Sequence, residues 1–343
     1  MAVSGVSAEH VLQKDFAVIK DIDQSHQPII QFADDLIVNA IQQSASDIHI
    51  EPLKEVYRIR FRQDGLLHQN TILPTAFATK LVMRFKVMAR LDIAERRLPQ
   101  DGSFQWKEID IRASTCPTLF GEKIALRLLY YNTCPKSFLE LGFIKSQEEI
   151  MKKVLSKPHG LILLSGPTGS GKTTTLYAIL HYMNSIEKNI STIEDPIEII
   201  LEGINQINVN ARYGWSFAAA SRTLLRQDPD ILMIGEIRDS ETAKIAIQAA
   251  QTGRLVLSTV HAKNAEETID RLTSLGISSN DISSISLIIT QRLLRKNPFG
   301  RTGIYELSSP SDSTHHTLSL CEAGMEKVKQ GIVTFDELTR VLG

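Results

Sequence analysis

Gly166-Pro167-Thr168-Gly169-Ser170-Gly171-Lys172-Thr173 is the stretch on which the reading of this chain turns. Its spacing, G-x-x-x-x-G-K-[ST], demands a loop that wraps a phosphate with backbone N–H groups and is followed at once by a lysine and a hydroxyl. The flanks supply the matching context. Gly160-Leu161-Ile162-Leu163-Leu164-Ser165 is a short apolar run that reads as a buried strand, and Thr174-Thr175-Leu176-Tyr177-Ala178-Ile179-Leu180 has helical composition and spacing. Gly166, Pro167, Thr168, Gly169, Ser170, Gly171, Lys172, Thr173 and Thr174 are therefore the expected ATP-binding set. Lys172 is expected on the β- and γ-phosphates and Thr173 on Mg²⁺, with partial positive charge from the helix N-terminus.

Working downstream, Asn189-Ile190-Ser191-Thr192-Ile193 is a second β-rich run that delivers Glu194-Asp195-Pro196-Ile197-Glu198 to its C-terminal end. In a parallel α/β sheet ligands bind at that end, so Glu194, Asp195 and Glu198 are expected near the phosphate loop, orienting water or holding magnesium through water. The other reading is that Asp195-Pro196 only makes a turn. Ile231-Leu232-Met233-Ile234 leads to Gly235-Glu236, which suits a Walker B strand with Glu236 near magnesium and water. Asp239 and Glu241 read as first-turn helix charges. His261 follows the strand-like Leu255-Val256-Leu257-Ser258-Thr259-Val260 and is either structural or a sensor of the γ-phosphate. Arg222 and Arg226, one helical turn apart and expected on the same face of the helix before Asp228-Pro229, either stabilise transferred phosphate charge or pair with carboxylates.

Upstream of residue 144 the pattern is different. Ile29, Ile30, Phe32, Ala33, Leu36, Ile37, Ala40 and Ile41 recur at helical spacing, and residues 46–52 and 56–62 alternate as half-buried strands. Arg58, Arg60 and Arg62 share the outer face of the second of these, either as solvated edge charges or as an interface. Asp64-Gly65 is a turn signal, a helix is expected over 76–91, and further strands over 103–106, 108–115 and 121–129. Helices with several alternating strands, and no regular strand-helix repeat, give a small α+β domain of PAS-like type. The expected layout is a leader over 1–27, the small domain over 28–131, a linker over 132–143, and a RecA-like P-loop domain over 144–343 with a helical C-terminal part.

A chain of 343 residues, 43% hydrophobic and 22% charged, accommodates two cores and has the composition of a soluble globular protein. A net charge of −1, with no basic stripe, argues against a direct nucleic-acid partner. Neither a secretory signal nor an apolar run of membrane-spanning length is apparent, so a cytoplasmic location is expected. Cys116, Cys134 and Cys321 are too dispersed for a disulfide framework or a zinc site and read as reduced thiols.

Taken together these residues resemble the secretion ATPase superfamily, specifically the motors of type II secretion and type IV pilus assembly. The resemblance covers residues 28–343 and rests on Ser46-Asp47-Ile48-His49-Ile50-Glu51-Pro52, Leu98-Pro99-Gln100-Asp101-Gly102, the P-loop, the acidic box at 192–198, the segments at 225–230 and 235–239, and the histidine box at 255–261. It implies an ATP-hydrolysing homo-oligomer, a hexamer, whose two domains move against each other and displace an inner-membrane platform protein, with membrane association through partners. Arg97 and Arg112 would reach from the first domain toward nucleotide phosphates, joined by Arg222 and Arg226, while Glu236 and the acidic box polarise water. Arginines supplied by a mobile domain make catalysis conditional on closure. The alternatives are a turnover-deficient nucleotide-binding scaffold of the same machinery and a retraction-type motor.

The chain departs from the family pattern at three places. Relatives of the assembly type often carry a paired CxxC zinc subdomain between the segments 291–295 and 300–306, where this chain has Lys296-Asn297-Pro298-Phe299, so no zinc is expected. A long N-terminal docking domain is expected to be missing. Arg254 stands where the family commonly has histidine, and is a further candidate for phosphate contact.

Overall fold

In a computed structural model of the chain, which describes residues 27–129, 137–210, 214–310 and 318–343, the alternating stretches of the N-terminal part form one six-stranded antiparallel sheet. Its elements are α1 (Gln27–Gln42), β1 (Asp47–Pro52), β2 (Val56–Gln63), β3 (Leu66–Pro74), α2 (Thr75–Met88), β4 (Gln100–Trp106), β5 (Ile109–Thr118) and β6 (Gly121–Leu129). The strand order is β3-β2-β1-β6-β5-β4. Period-2 patterning assigns the two faces. Tyr57, Ile59 and Phe61 of β2 enter a core with Leu36 and Ile37 of α1 and Leu81 and Phe85 of α2. Trp106 at the β4 edge donates its indole N–H to Asp34 of α1 at 2.8 Å, closing that end.

The arginines on the other face of β2 are not edge charges, because β2 lies between β3 and β1. Arg58 and Arg60 reach Glu51 of β1 at 3.0 and 2.8 Å, Lys123 of β6 joins them at 3.0 Å, and Arg62 and Arg127 flank Asp47. Burial would raise the Glu51 pKa, but hydrogen bonds from Arg60, Lys123 and Arg58 overcome it and hold the carboxyl at about 2. The helix expected over 76–91 ends at Met88.

The chain folds as two compact units, Met1–Tyr131 and Asn132–Gly343. The expected leader lies outside the described residues except for Gln27, as do residues 132–136 of the expected linker, Cys134 among them. The second unit comprises α3 (Phe138–Leu141), α4 (Lys145–Leu155), β7 (Gly160–Ser165), α5 (Lys172–Met183), β8 (Ile190–Glu194), β9 (Asn205–Asn208), α6 (Phe217–Leu224), β10 (Ile231–Ile234), α7 (Ser240–Gln251), β11 (Leu255–Val260), α8 (Ala265–Ser274), α9 (Ser279–Ile282), β12 (Ile285–Arg295), β13 (Arg301–Ser308), α10 (Leu320–Lys329) and α11 (Phe335–Leu342).

Its sheet runs β13-β12-β7-β11-β10-β8-β9, parallel except for the β12–β13 hairpin. The C-terminal part is thus not wholly helical: two of its longest segments are strands, and β12 lies directly beside the P-loop strand. Every residue of β7 is buried, as a central parallel strand requires. Ile162 and Leu164 face a core that includes Leu176, Ile179 and Leu180 of α5, and Leu161 and Leu163 face the opposite core with Ala243, Ala246 and Ile247 of α7. Each such leucine or isoleucine contributes roughly 2 kcal/mol of burial, which anchors the strand from which the loop departs.

Candidate functional site

Sheet register assembles the site. Ser165 is paired with Val260 of β11 on one side and with Thr290 of β12 on the other. The next residues, Gly166 and His261, therefore leave the sheet side by side, next to Gln291, where β12 continues paired with β13. Ile234 of β10 is paired with Ser258, which brings Glu236 to the level of Val260. Three hydroxyls brace this edge: Ser258 and Thr259 donate to the carbonyls of Ile234 and Gly235 at 2.6 and 2.8 Å, and Ser165 donates to the Ala262 carbonyl at 3.0 Å.

The loop itself is tightly constrained. A Cβ on Gly166 would stand 2.6 Å from both the Gln291 carbonyl and Ser170 Oγ, and Gly171, at φ +88°, caps α5 where a Cβ would meet the Gln291 amide at 2.8 Å. Only glycine accommodates these approaches. Ser170 Oγ is buried and has no hydrogen-bond partner, and no side chain caps the α5 N-terminus. An orphaned hydroxyl, an uncapped helix start and a Cβ-free cradle fit a phosphate chain, with the half-buried Thr173 placed for a hard cation.

Lys172 is 8% exposed and donates to the carbonyls of Gly166 and Pro167 at 2.7 and 3.0 Å. Burial lowers its pKa to about 8; Glu236 opposes the shift and Arg292 adds to it. Glu236 is the shared counter-charge of the site, 2.5 Å from Arg238 and 3.7 Å from His261 Nε2. Burial, and then Lys172, lowers the His261 pKa against the pull of Glu236, so the imidazole is neutral at pH 7. Gln291, Arg292 and Arg238 belong to this cluster although motif reading did not single them out. Their signal lay in segments already quoted: Arg238 two residues after Glu236, and Gln291-Arg292 at the edge of the missing zinc insert.

Other expected residues lie elsewhere. β8 is separated from β7 by β11 and β10, so its end stands about three strand spacings, roughly 14 Å, from the P-loop strand. Glu194 there is 3% exposed and accepts from Thr192 at 2.6 Å, from Gln206 at 3.1 Å and from Tyr177 of α5 in a short bond. It faces partners in the core rather than water. Asp195 and Glu198 are exposed on the following loop, whose 198 and 199 N–H groups donate to Tyr177 Oη.

Arg222 is ion-paired with Glu241 at the start of α7. Arg226 is not on a shared helical face with it: α6 ends at Leu224, and the Arg226 guanidinium donates back to the Arg222 carbonyl at 3.0 Å. Arg254 lies far from the phosphate loop of its own chain. Its carbonyl accepts from Gly160, at the opposite end of β7 from the loop, roughly 20 Å away by strand rise. Arg97 and Arg112 lie in the first unit, both exposed; the Arg97 side chain is 91% exposed with Glu95 at 3.6 Å.

Among the described residues, no group of three or more His, Cys, Asp or Glu side chains could hold a metal, and no helix is long and apolar enough to cross a membrane. Cys116 and Cys321 are free and exposed.

The chain is 44% identical over 345 residues to the protein transport protein HofB homolog of Haemophilus influenzae, covering 93% of this chain and 74% of the relative. It is 50% identical over 275 residues to the type IV pilus assembly ATPase PilB of Acinetobacter baylyi, covering 78% of this chain, and spans 48% of that relative. Against several other curated pilus and secretion relatives it likewise spans about half their length. The crystal structure of the pilus retraction motor PilT with ADP superposes with a TM-score of 0.66 at 29% identity, covering 89% of this chain and 95% of that one. The Legionella pneumophila ATPase DotB does so at 0.74, with 21% identity and coverage of 94% and 97%. The family profile described as Type II/IV secretion system protein matches residues 23–341, and with the RecA-like architecture and complete phosphate loop this chain belongs to that family.

Proposed function

We propose that this chain is an ATP-hydrolysing assembly motor of a type IV pilus, competence pseudopilus or type II secretion pseudopilus. The observation that carries the reading is the convergence of Lys172, Glu236 and His261 at the exits of three strands, beside a loop built to cradle phosphates. The backbone from Gly166 to Thr174 and the Lys172 ammonium bind the phosphate chain of the substrate. Thr173 would hold Mg²⁺, with Glu236 and Asp195 in support, and the bound cation would supply charge neutralisation at the phosphates. Glu236, ion-paired with Arg238 and beside His261, orients and polarises the attacking water. Neutral His261 donates or accepts a hydrogen bond at the same point. Glu194, through Tyr177, holds the acidic loop against α5 and so positions Glu198 and Asp195.

By likeness to its relatives, the working form is a homo-oligomer, a hexamer, in the cytoplasm and peripheral to the inner membrane, acting on a membrane platform protein. Arg97 and Arg112 supply positive charge to the nucleotide phosphates, with Arg222 and Arg226 in supporting roles. No zinc and no direct nucleic-acid contact enter this mechanism.

The test is steady-state Mg-ATPase activity against protein concentration, for the native chain beside Glu236→Gln. Specific activity that rises with concentration, and falls about 10²- to 10⁴-fold in the variant, is expected. Equal activity in the two would remove Glu236 from the chemistry. Absent activity in a native chain that still binds ATP would favour a nucleotide-binding scaffold.

A further inference from the structure

A cleft of about 590 Å³ opens in the second unit between the α3–α4 turn, the β12–β13 loop and the end of α10. It is separate from the P-loop: Lys296, on its rim, lies five residues along β12 from Gln291, or roughly 17 Å. Lys145, Lys296 and Lys327 line it, and Glu140 is the one acidic residue among its lining groups. Lys327 is 6% exposed. Among the described residues, none of the three lysines has a carboxylate partner within ion-pair distance. Phe299, 85% exposed at the tip of the β12–β13 loop, adds an aromatic face.

We propose that this cleft binds small phosphate esters that carry an aromatic ring. A buried ammonium beside a second ammonium is unfavourable unless a counter-charge is brought in. A phosphate supplies about two negative charges in one compact group, matched to several lysine donors. Lys145 is the first residue of the 11-residue helix α4, whose N-terminal partial charge adds to the same field. The volume falls in the range of small-ligand sites, roughly 300–1,000 Å³, and the Phe299 ring offers a stacking surface for the organic part. Burial, with Lys296 nearby, lowers the Lys327 pKa, which leaves more of its amine uncharged and able to attack an aldehyde probe.

Pyridoxal 5′-phosphate tests this directly, since it joins an aromatic ring, a phosphate and an aldehyde that condenses with an uncharged lysine amine to an imine and water. The full chain, with its P-loop saturated by Mg²⁺ and a non-hydrolysable ATP analogue, is treated with this probe or with pyridoxal, reduced with borohydride and mapped by peptide mass. The phosphorylated probe is expected to label Lys327, Lys296 or Lys145 at least tenfold more than pyridoxal does. Lys296→Gln and Phe299→Ala, both surface changes, should cut labelling of Lys327 severalfold with circular dichroism unchanged, and Lys172→Ala should leave it intact. Equal labelling by the two aldehydes, or label confined to Lys172 and scattered surface lysines, would overturn the proposal. Labelling is read without turnover, so loss of the motor reading would leave this result standing.

Discussion

Lys172 sets the clearest expectation at the scale of a residue. Its ammonium is buried among backbone carbonyls, with Glu236 attracting it and Arg292 repelling it, and deprotonates near pH 8 instead of 10.5. In an unfolded chain the same group keeps its proton up to the higher value. Between the two values the unfolded state binds more protons, so this group's contribution to stability rises with pH. Phosphate binding goes the other way, because the charge is lost over the same window. The pH profile of kcat/KM for ATP should therefore fall above about pH 8, approaching tenfold per unit, and a profile flat to about pH 9.5 would remove Lys172 from phosphate binding. The loop around it was legible because its glycines and lysine are local in sequence. Arg292 and Gln291 were not, since only the pairing of β12 with β7 brings them under the loop.

At the scale of elements, the tie between α5 and β8 carries the next expectation. Tyr177 donates to the buried Glu194 carboxylate and accepts from the N–H groups of Glu198 and Ile199. Tyr177→Phe keeps the ring in the core and removes all three bonds, leaving a buried carboxylate short of a donor. The expected loss is about 1–3 kcal/mol, read as a drop of about 2–4 °C per kcal/mol in thermal unfolding, with a lower kcat from the displaced acidic loop. An unchanged melting temperature would mean that the pair does not hold β8. The residues 190–194 were readable as a strand and the carboxylate as its last residue. That two strands intervene before the P-loop was not readable, because parallel strand order depends on crossovers that leave no local mark in composition.

For the whole molecule, the arginines of the first unit provide the test. Arg97 and Arg112 are exposed, and neither has a role in the core of its own unit. Arg97→Ala and Arg112→Ala should each leave thermal unfolding unchanged within about 0.5 kcal/mol while lowering kcat by on the order of 10²-fold or more, as expected when an arginine that stabilises phosphate charge is removed. Normal turnover in both variants would confine catalysis to the second unit.

What the sequence determined by itself was what adjacent residues decide: the P-loop between strand and helix, the alternation that gives two faces to β2, the helical periodicity of α1, and the carboxylate after β10. What only the tertiary structure decided was which of these local features meet. Glu194 and Arg254 looked like site residues and became a buried strut and a residue at the far end of the sheet. The arginines of β2, open between edge charges and an interface, became the partners of Glu51 and Asp47, while Arg238 and Arg292 joined the site from segments whose motifs did not single them out. The physical reason is common to all of these cases. Burial, pairing and pKa shifts depend on strand order and register, which arise from long-range packing of apolar faces that many local patterns satisfy equally well.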